Sequence, residues 1–228
     1  NPISTADFPV VGYNTSIPAD ATDATGHNIT GWSLSIAVVA DVPLTNSSSN
    51  DGYVEATTLS LVQPAGIGGS GFSNDSWHVC GIVFGGGLEG DRETGDRVVQ
   101  DDGGCGRFLS DACIQQLQAD SLAGEGSRKG ECVDLKVPDI CEGQEGGLKG
   151  GSGGAYGHGC GFPGISNDDP PSRRRQFFTA GSAPTVSGNM SAIAAAQGMV
   201  WPVLLTWTHF AASGEAHDSA AWLSCVKA

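Results

Sequence analysis

A mainly β fold, cross-linked by disulfides and arranged as a sandwich, is what this sequence predicts, and three observations predict it. Several segments alternate apolar and polar residues with the period of two that marks a half-buried strand. The chain of 228 residues holds 35 glycines and 11 prolines, a supply of turn formers that suits short strands joined by loops better than a helical bundle. Seven cysteines stand at 80, 105, 113, 132, 141, 160 and 225 with no CxxC pair among them, so they read as disulfide partners rather than zinc ligands. The length suits one all-β domain over residues 1–228, with one or two short helices and long glycine-rich loops.

Taken in order, residues 1–30 are polar, carry Pro2, Pro9 and Pro18, and predict an extended arm or edge strand. Residues 31–40 (GWSLSIAVVA) place Trp32, Leu34, Ile36 and Val38 on one face of a strand. A turn over 46–52, ending in Asp51-Gly52, returns the chain along 53–63 as a hairpin. Residues 76–84 (SWHVCGIVF) are apolar on both faces, which places them at the centre of the fold. The best helix candidate runs from 111 to about 120: Ser110 is suited to the N-cap, Asp111 complements the positive helix end, and Leu109 can staple onto Ile114. Cys132 to Val137 is a short candidate strand, whereas residues 143–164 are too glycine-rich and too poor in apolar side chains to pack as a regular element. A strand over 176–180 and one or two helical turns over 191–197 follow. The apolar run 199–210 (MVWPVLLTWTHF) reads as a buried strand with Pro202 at a bulge or edge, and 221–226 as a final strand fixed through Cys225.

A net charge of −14 is wrong for nucleic acid and for anionic lipid, both of which need a basic surface. No apolar run reaches the length of a membrane span. Five glycosylation sequons begin at Asn14, Asn28, Asn46, Asn74 and Asn189. With the cysteines they predict a secreted, extracellular glycoprotein, and the start at Asn1-Pro2-Ile3 fits removal of a signal peptide. An odd cysteine count leaves the connectivity open. The expected pairing is Cys105–Cys113, Cys132–Cys141 and Cys80–Cys225, with Cys160 left over.

Catalytic motifs are scarce. His78 and His209 lie in apolar strands without a GxSxG elbow near any serine, so they read as structural histidines. Glu89, Asp91, Glu93, Asp96, Asp101 and Asp102 crowd one loop, but their spacing is not that of a calcium-binding helix–loop–helix, and the expectation is a solvated acidic loop. The stretch 146–154 (GGLKGGSGG) lacks the Gly-Lys-Ser/Thr ending of a phosphate loop. It predicts instead a slender loop that can enter a groove, with Lys149, Tyr156 and His158 as contacts. Residues 168–178 (DDPPSRRRQFF) are the most unusual: two prolines stiffen the chain ahead of Arg173, Arg174, Arg175 and Gln176, on an otherwise acidic protein. A stiff segment loses little entropy when gripped, and arginine is common at binding hot spots, so these residues are the expected partner surface. Neither a metal nor a cofactor is called for.

The segments Asp75-Ser76-Trp77-His78-Val79-Cys80, Asp102-Gly103-Gly104-Cys105, Trp201-Pro202-Val203-Leu204 and Leu223-Ser224-Cys225-Val226 resemble recurring blocks of uncharacterised secreted proteins of filamentous fungi, some of which are effector-like. That resemblance implies a role outside the cell and brings no catalytic residue with it. The expected function is therefore a secreted effector-like interaction protein whose partner is an extracellular protein, with inhibition of a host protease as its leading activity. The alternative is a cell-wall glycan-binding protein or a glycan-active hydrolase, since exposed tryptophans and paired carboxylates serve sugars.

Overall fold

A computed structural model describes residues 1–15, 28–44, 52–65, 67, 77–84, 103–125, 132, 135–141, 148, 157–161 and 174–228. Among the described residues, eight strands form two antiparallel four-stranded sheets. The first sheet runs β1 (Ser4–Tyr13), β2 (Asn28–Pro43), β3 (Tyr53–Val62), β6 (Arg174–Gly181). In the second the order is β5 (Gly157–Gly161), β4 (Trp77–Phe84), β7 (Val200–Phe210), β8 (Ala216–Lys227). Helix α1 (Asp111–Glu125) packs on β7 and β8, and α2 (Met190–Gly198) packs on β2 and β3. The mainly β, sandwich-like class predicted from composition and periodicity is thus the observed one.

Two separate cores explain which segments are apolar on one face and which on both. Between the sheets lie Trp32, Leu34 and Ile36 of β2, Leu59 and Leu61 of β3, Trp77 and Val79 of β4, and Trp201, Val203, Leu205 and Trp207 of β7. The opposite face of the second sheet sends Ile82, Phe84, Leu204 and Leu223 against Cys113 and Leu117 of α1. β4 and β7 are therefore covered on both sides, and every residue of each is buried. β2 buries Trp32, Leu34, Ile36 and Val38 on its apolar face, the period of two that the sequence shows. Pro202 fits within β7 because β4 pairs only as far as Val203, so no neighbouring ladder is broken on that side.

Irregularities in the ladders have local causes. Register shifts between Val10 and Gly12, where a Cβ on Gly12 would stand 2.3 Å from the Trp32 ring. The shift between Leu59 and Ser60 opposite β6 turns consecutive aromatics inward: Phe177 packs over Gly81, and Phe178 meets Trp201 at 5.3 Å between centroids. On β2 the irregularity between Val39 and Val42 carries Asp41 at φ 54°. Its Oδ1 accepts the Gly188 N–H at 2.7 Å and ties down the approach to α2. Asn189 then caps that helix, accepting from the N–H groups of Ser191 and Ala192.

Three expectations need correction. The bridges are Cys80–Cys132, Cys105–Cys225 and Cys113–Cys141, not the predicted pairs. The same six cysteines are used and Cys160 stays outside the set, but proximity in sequence misled: α1 carries Cys113 away from Cys105, which is drawn to β8. Second, Leu135 and Val137 bury against the helix side without joining a ladder and lead into a 3-10 turn, Asp139–Cys141, so no strand forms over the described part of 132–137. Third, β5 forms inside the glycine-rich stretch, because pairing with β4 is made by backbone groups and needs no apolar side chain. α1 also runs five residues past its predicted end, and Ser121 inside it turns its buried hydroxyl back to the Gln118 carbonyl at 2.8 Å. Ser110 does cap the helix, accepting the Cys113 N–H at 3.2 Å.

Candidate functional site

Four of the predicted partner residues, Arg174, Arg175, Gln176 and His158, fall on described strands, and those two strands lie at one side of the sandwich. Arg174 and Gln176 are exposed on β6, the last strand of the first sheet, and His158 lies on β5, the last strand of the second. β5 and β6 lie against each other. Arg175 is a β6 residue paired with Leu61. Arg173, Lys149 and Tyr156 fall outside the described residues, as does the acidic loop from 89 to 102.

On the outer face of the first sheet, register aligns Arg174 with Val62 and Ser33, and Gln176 with Ser60, Ser35 and Asp7. Arg174 reaches across this face to Asp7, Nη2 to Oδ1 at 4.0 Å, with both groups largely in solvent. Such a pair contributes little to stability. Ser35 and Ser60, in register with Gln176 across this sheet, are buried. Gln176 Nε2 donates to Thr179 Oγ1 at 2.6 Å, which fixes the next side chain along the edge. The sequence predicts a strand only from 176, with Arg174 in the loop before it; the structure starts the strand at Arg174.

A second cluster was not foreseen as a unit. His78 and Cys80 are two residues apart on β4 and so share a face, the one toward α1. His78 Nε2 lies 3.1 Å from Cys80 Sγ and 3.6 Å from Cys132 Sγ. Burial pushes the His78 pKa below its ordinary value, so the imidazole is neutral there. Across the sheet, His78 is in register with Thr208, whose Oγ1 accepts from Ser219 Oγ at 3.4 Å. The His-x-Cys spacing on a strand was the available signal, and the mistaken cysteine pairing hid it. The three donor atoms are close enough for a metal ion. Joined as a disulfide, however, the sulfurs are not the thiolates that a soft metal requires.

Tyrosine and tryptophan side chains gather at the β1/β8 edge. Trp222 Nε1 donates to Tyr13 Oη at 3.4 Å, and Tyr13 stacks on Trp77 with centroids 5.7 Å apart. Burial raises the Tyr13 pKa and the Asp218 charge adds to this, against the Trp222 hydrogen bond. Of the five tryptophans only Trp222 is exposed. The row of surface indoles that a sugar-binding face would require is not formed.

No family model, curated protein or solved structure matches this chain.

Proposed function

We propose that this is a secreted, effector-like protein that binds an extracellular protein, a protease being the leading class, through the β5/β6 edge of its sandwich. The observation that supports the reading is that the described parts of the two unusual stretches, β5 and the start of β6, lie against each other. The segment 162–173, with its prolines and Arg173, leads directly from β5 into β6, and 142–156 leads into β5. Edge strands present unpaired N–H and C=O groups to which an extended partner segment can add, while side chains beside them set the choice of partner. Arg174 and Gln176 supply donors there on a chain whose net charge is −14, so the edge favours an acidic or carbonyl-rich contact.

Three disulfides fit an oxidising compartment, and among the described residues no helix is long and apolar enough to cross a membrane. Secretion and glycosylation belong to the proposal. Immobilised protein exposed to extracellular extract, followed by inhibition assays on captured proteases, tests it. Replacement of Arg173, Arg174 and Arg175 by alanine should weaken capture about tenfold or more, the scale of a binding hot spot. Undiminished binding by that variant would remove the edge from consideration. Retention on insoluble polysaccharide instead of protein would favour the glycan alternative.

A further inference from the structure

We propose that Cys80–Cys132 is an exchangeable disulfide, in which an external thiol attacks Sγ of Cys132 and His78 receives the departing sulfur of Cys80. Three observations carry this. Cys132 is the one half-cystine of the six that is partly exposed; Cys80, Cys105, Cys113, Cys141 and Cys225 are all buried. Nucleophilic attack needs access from solvent, and of the six bridged residues Cys132 alone is only partly buried, which makes it the proposed entry point. His78 Nε2 is 3.1 Å from Cys80 Sγ, and among the described residues no histidine is in hydrogen-bond reach of the other two bridges. Finally, Cys80 and His78 are both fixed in the fully buried β4, so the leaving sulfur and its acceptor stay together as Cys132 moves off.

The chemistry balances in two thiol steps. A thiolate RS⁻ bonds to Cys132 Sγ, the Sγ–Sγ bond breaks, and its electron pair leaves on Cys80 as a thiolate. A bare thiolate in a buried site is costly. A proton taken from solvent onto His78 converts the pair to thiolate and imidazolium, joined through Nε2–H. A second RS⁻ attacks the mixed disulfide, releases Cys132 as a thiolate that takes a proton from water, and leaves as RSSR. In sum the bridge gains two electrons and two protons from two thiols. Among the described residues, the groups facing His78 are the two sulfurs and, in register on β7, Thr208. Burial alone holds its pKa down in the oxidised state, so opening the bridge is coupled to proton uptake.

The test uses the full chain with limiting glutathione as the thiol, followed by acid quench, alkylation and peptide mapping. The expected first product carries glutathione on Cys132 and a newly alkylated Cys80, with Cys105–Cys225 and Cys113–Cys141 intact. Glutathione on Cys80, or prior opening of another bridge, overturns the proposal. His78→Gln should slow opening about tenfold at equal thiolate concentration, the loss expected for one hydrogen bond to a charged group. In the unaltered chain the same normalised rate should rise as pH falls through the imidazole range, which a purely structural histidine would not produce. A flat profile there overturns the role of His78 even if the variant fails to fold.

Discussion

Ser182 and Glu55 show how much a single side chain can settle. The Ser182 hydroxyl donates to the buried Glu55 Oε2 at 2.6 Å while its oxygen accepts the Glu55 N–H at 3.0 Å, and the Ser182 N–H returns to the Glu55 carbonyl at 3.0 Å. Ser182→Ala leaves a buried carboxylate and an amide short of partners, and should cost about 1–3 kcal/mol in chemical denaturation. Gly81 is fixed by sterics instead: a Cβ there would sit 2.8 Å from the Phe177 ring. Gly81→Ala should lose about 1–3 kcal/mol through overpacking, and Phe177→Leu in the same chain should recover part of it. Two titrations frame the stable pH range. His78 is held neutral, so its contribution is complete above about pH 6.5 and is lost as pH falls through its lowered pKa. Tyr13 has a raised pKa, so its contribution is complete below about pH 10 and is lost as pH rises from there through its raised pKa. Melting temperature measured across pH should show both limbs, the acid one absent in His78→Gln and the alkaline one in Tyr13→Phe.

At the level of elements, strands were legible where one face is polar or where both are covered, because burial then writes itself into every second residue or into all of them. β2 and β4 are the two cases. β5 was invisible, since a strand of glycines held by backbone bonds carries no hydrophobic period. The bulge that turns Phe177 and Phe178 inward was equally hidden: adjacent aromatics break the alternation from which strands are read. The arginine stretch stood out by composition, but the edge that Arg174 and Gln176 share with His158 depends on β5 and β6, consecutive in sequence, ending two different sheets and still lying against each other. His78 was visible and underrated, because its meaning depends on Cys132, which only the folded chain brings near. Cys105–Cys225 closes the largest covalent loop, with a sequence separation of 120. Replacing both residues by alanine should destabilise the protein by about 3–5 kcal/mol on the loop-entropy scale. The loss should exceed that for Cys113–Cys141, whose separation is 28, and paired thermal melts would rank them.

For the molecule as a whole, an acidic body with arginines at one edge predicts how partner binding responds to salt. A contact made through Arg173, Arg174 and Arg175 should weaken as ionic strength rises, mainly through a slower association rate, because screening acts on exposed charges. Biosensor traces at several salt concentrations measure this, and an unchanged association rate would place the contact elsewhere.

The cross-links also divide the chain unevenly. All three belong to the second sheet and the segments around α1; the first 79 residues, with β1, β2 and β3, precede the earliest bridged cysteine. Those strands are joined covalently to the rest by one peptide connection; beyond that they are held by pairing with β6, by the tryptophan-rich layer between the sheets, and by hydrogen bonds such as Glu55–Ser182, Asp41–Gly188 and Tyr13–Trp222. A single cut between β3 and β4 would therefore yield two fragments with no covalent tie and matching apolar faces. The molecule is in this sense a two-piece assembly written as one polypeptide, in which the fragment bearing β6 keeps its oxidised cross-links and offers an open template for the other to rejoin.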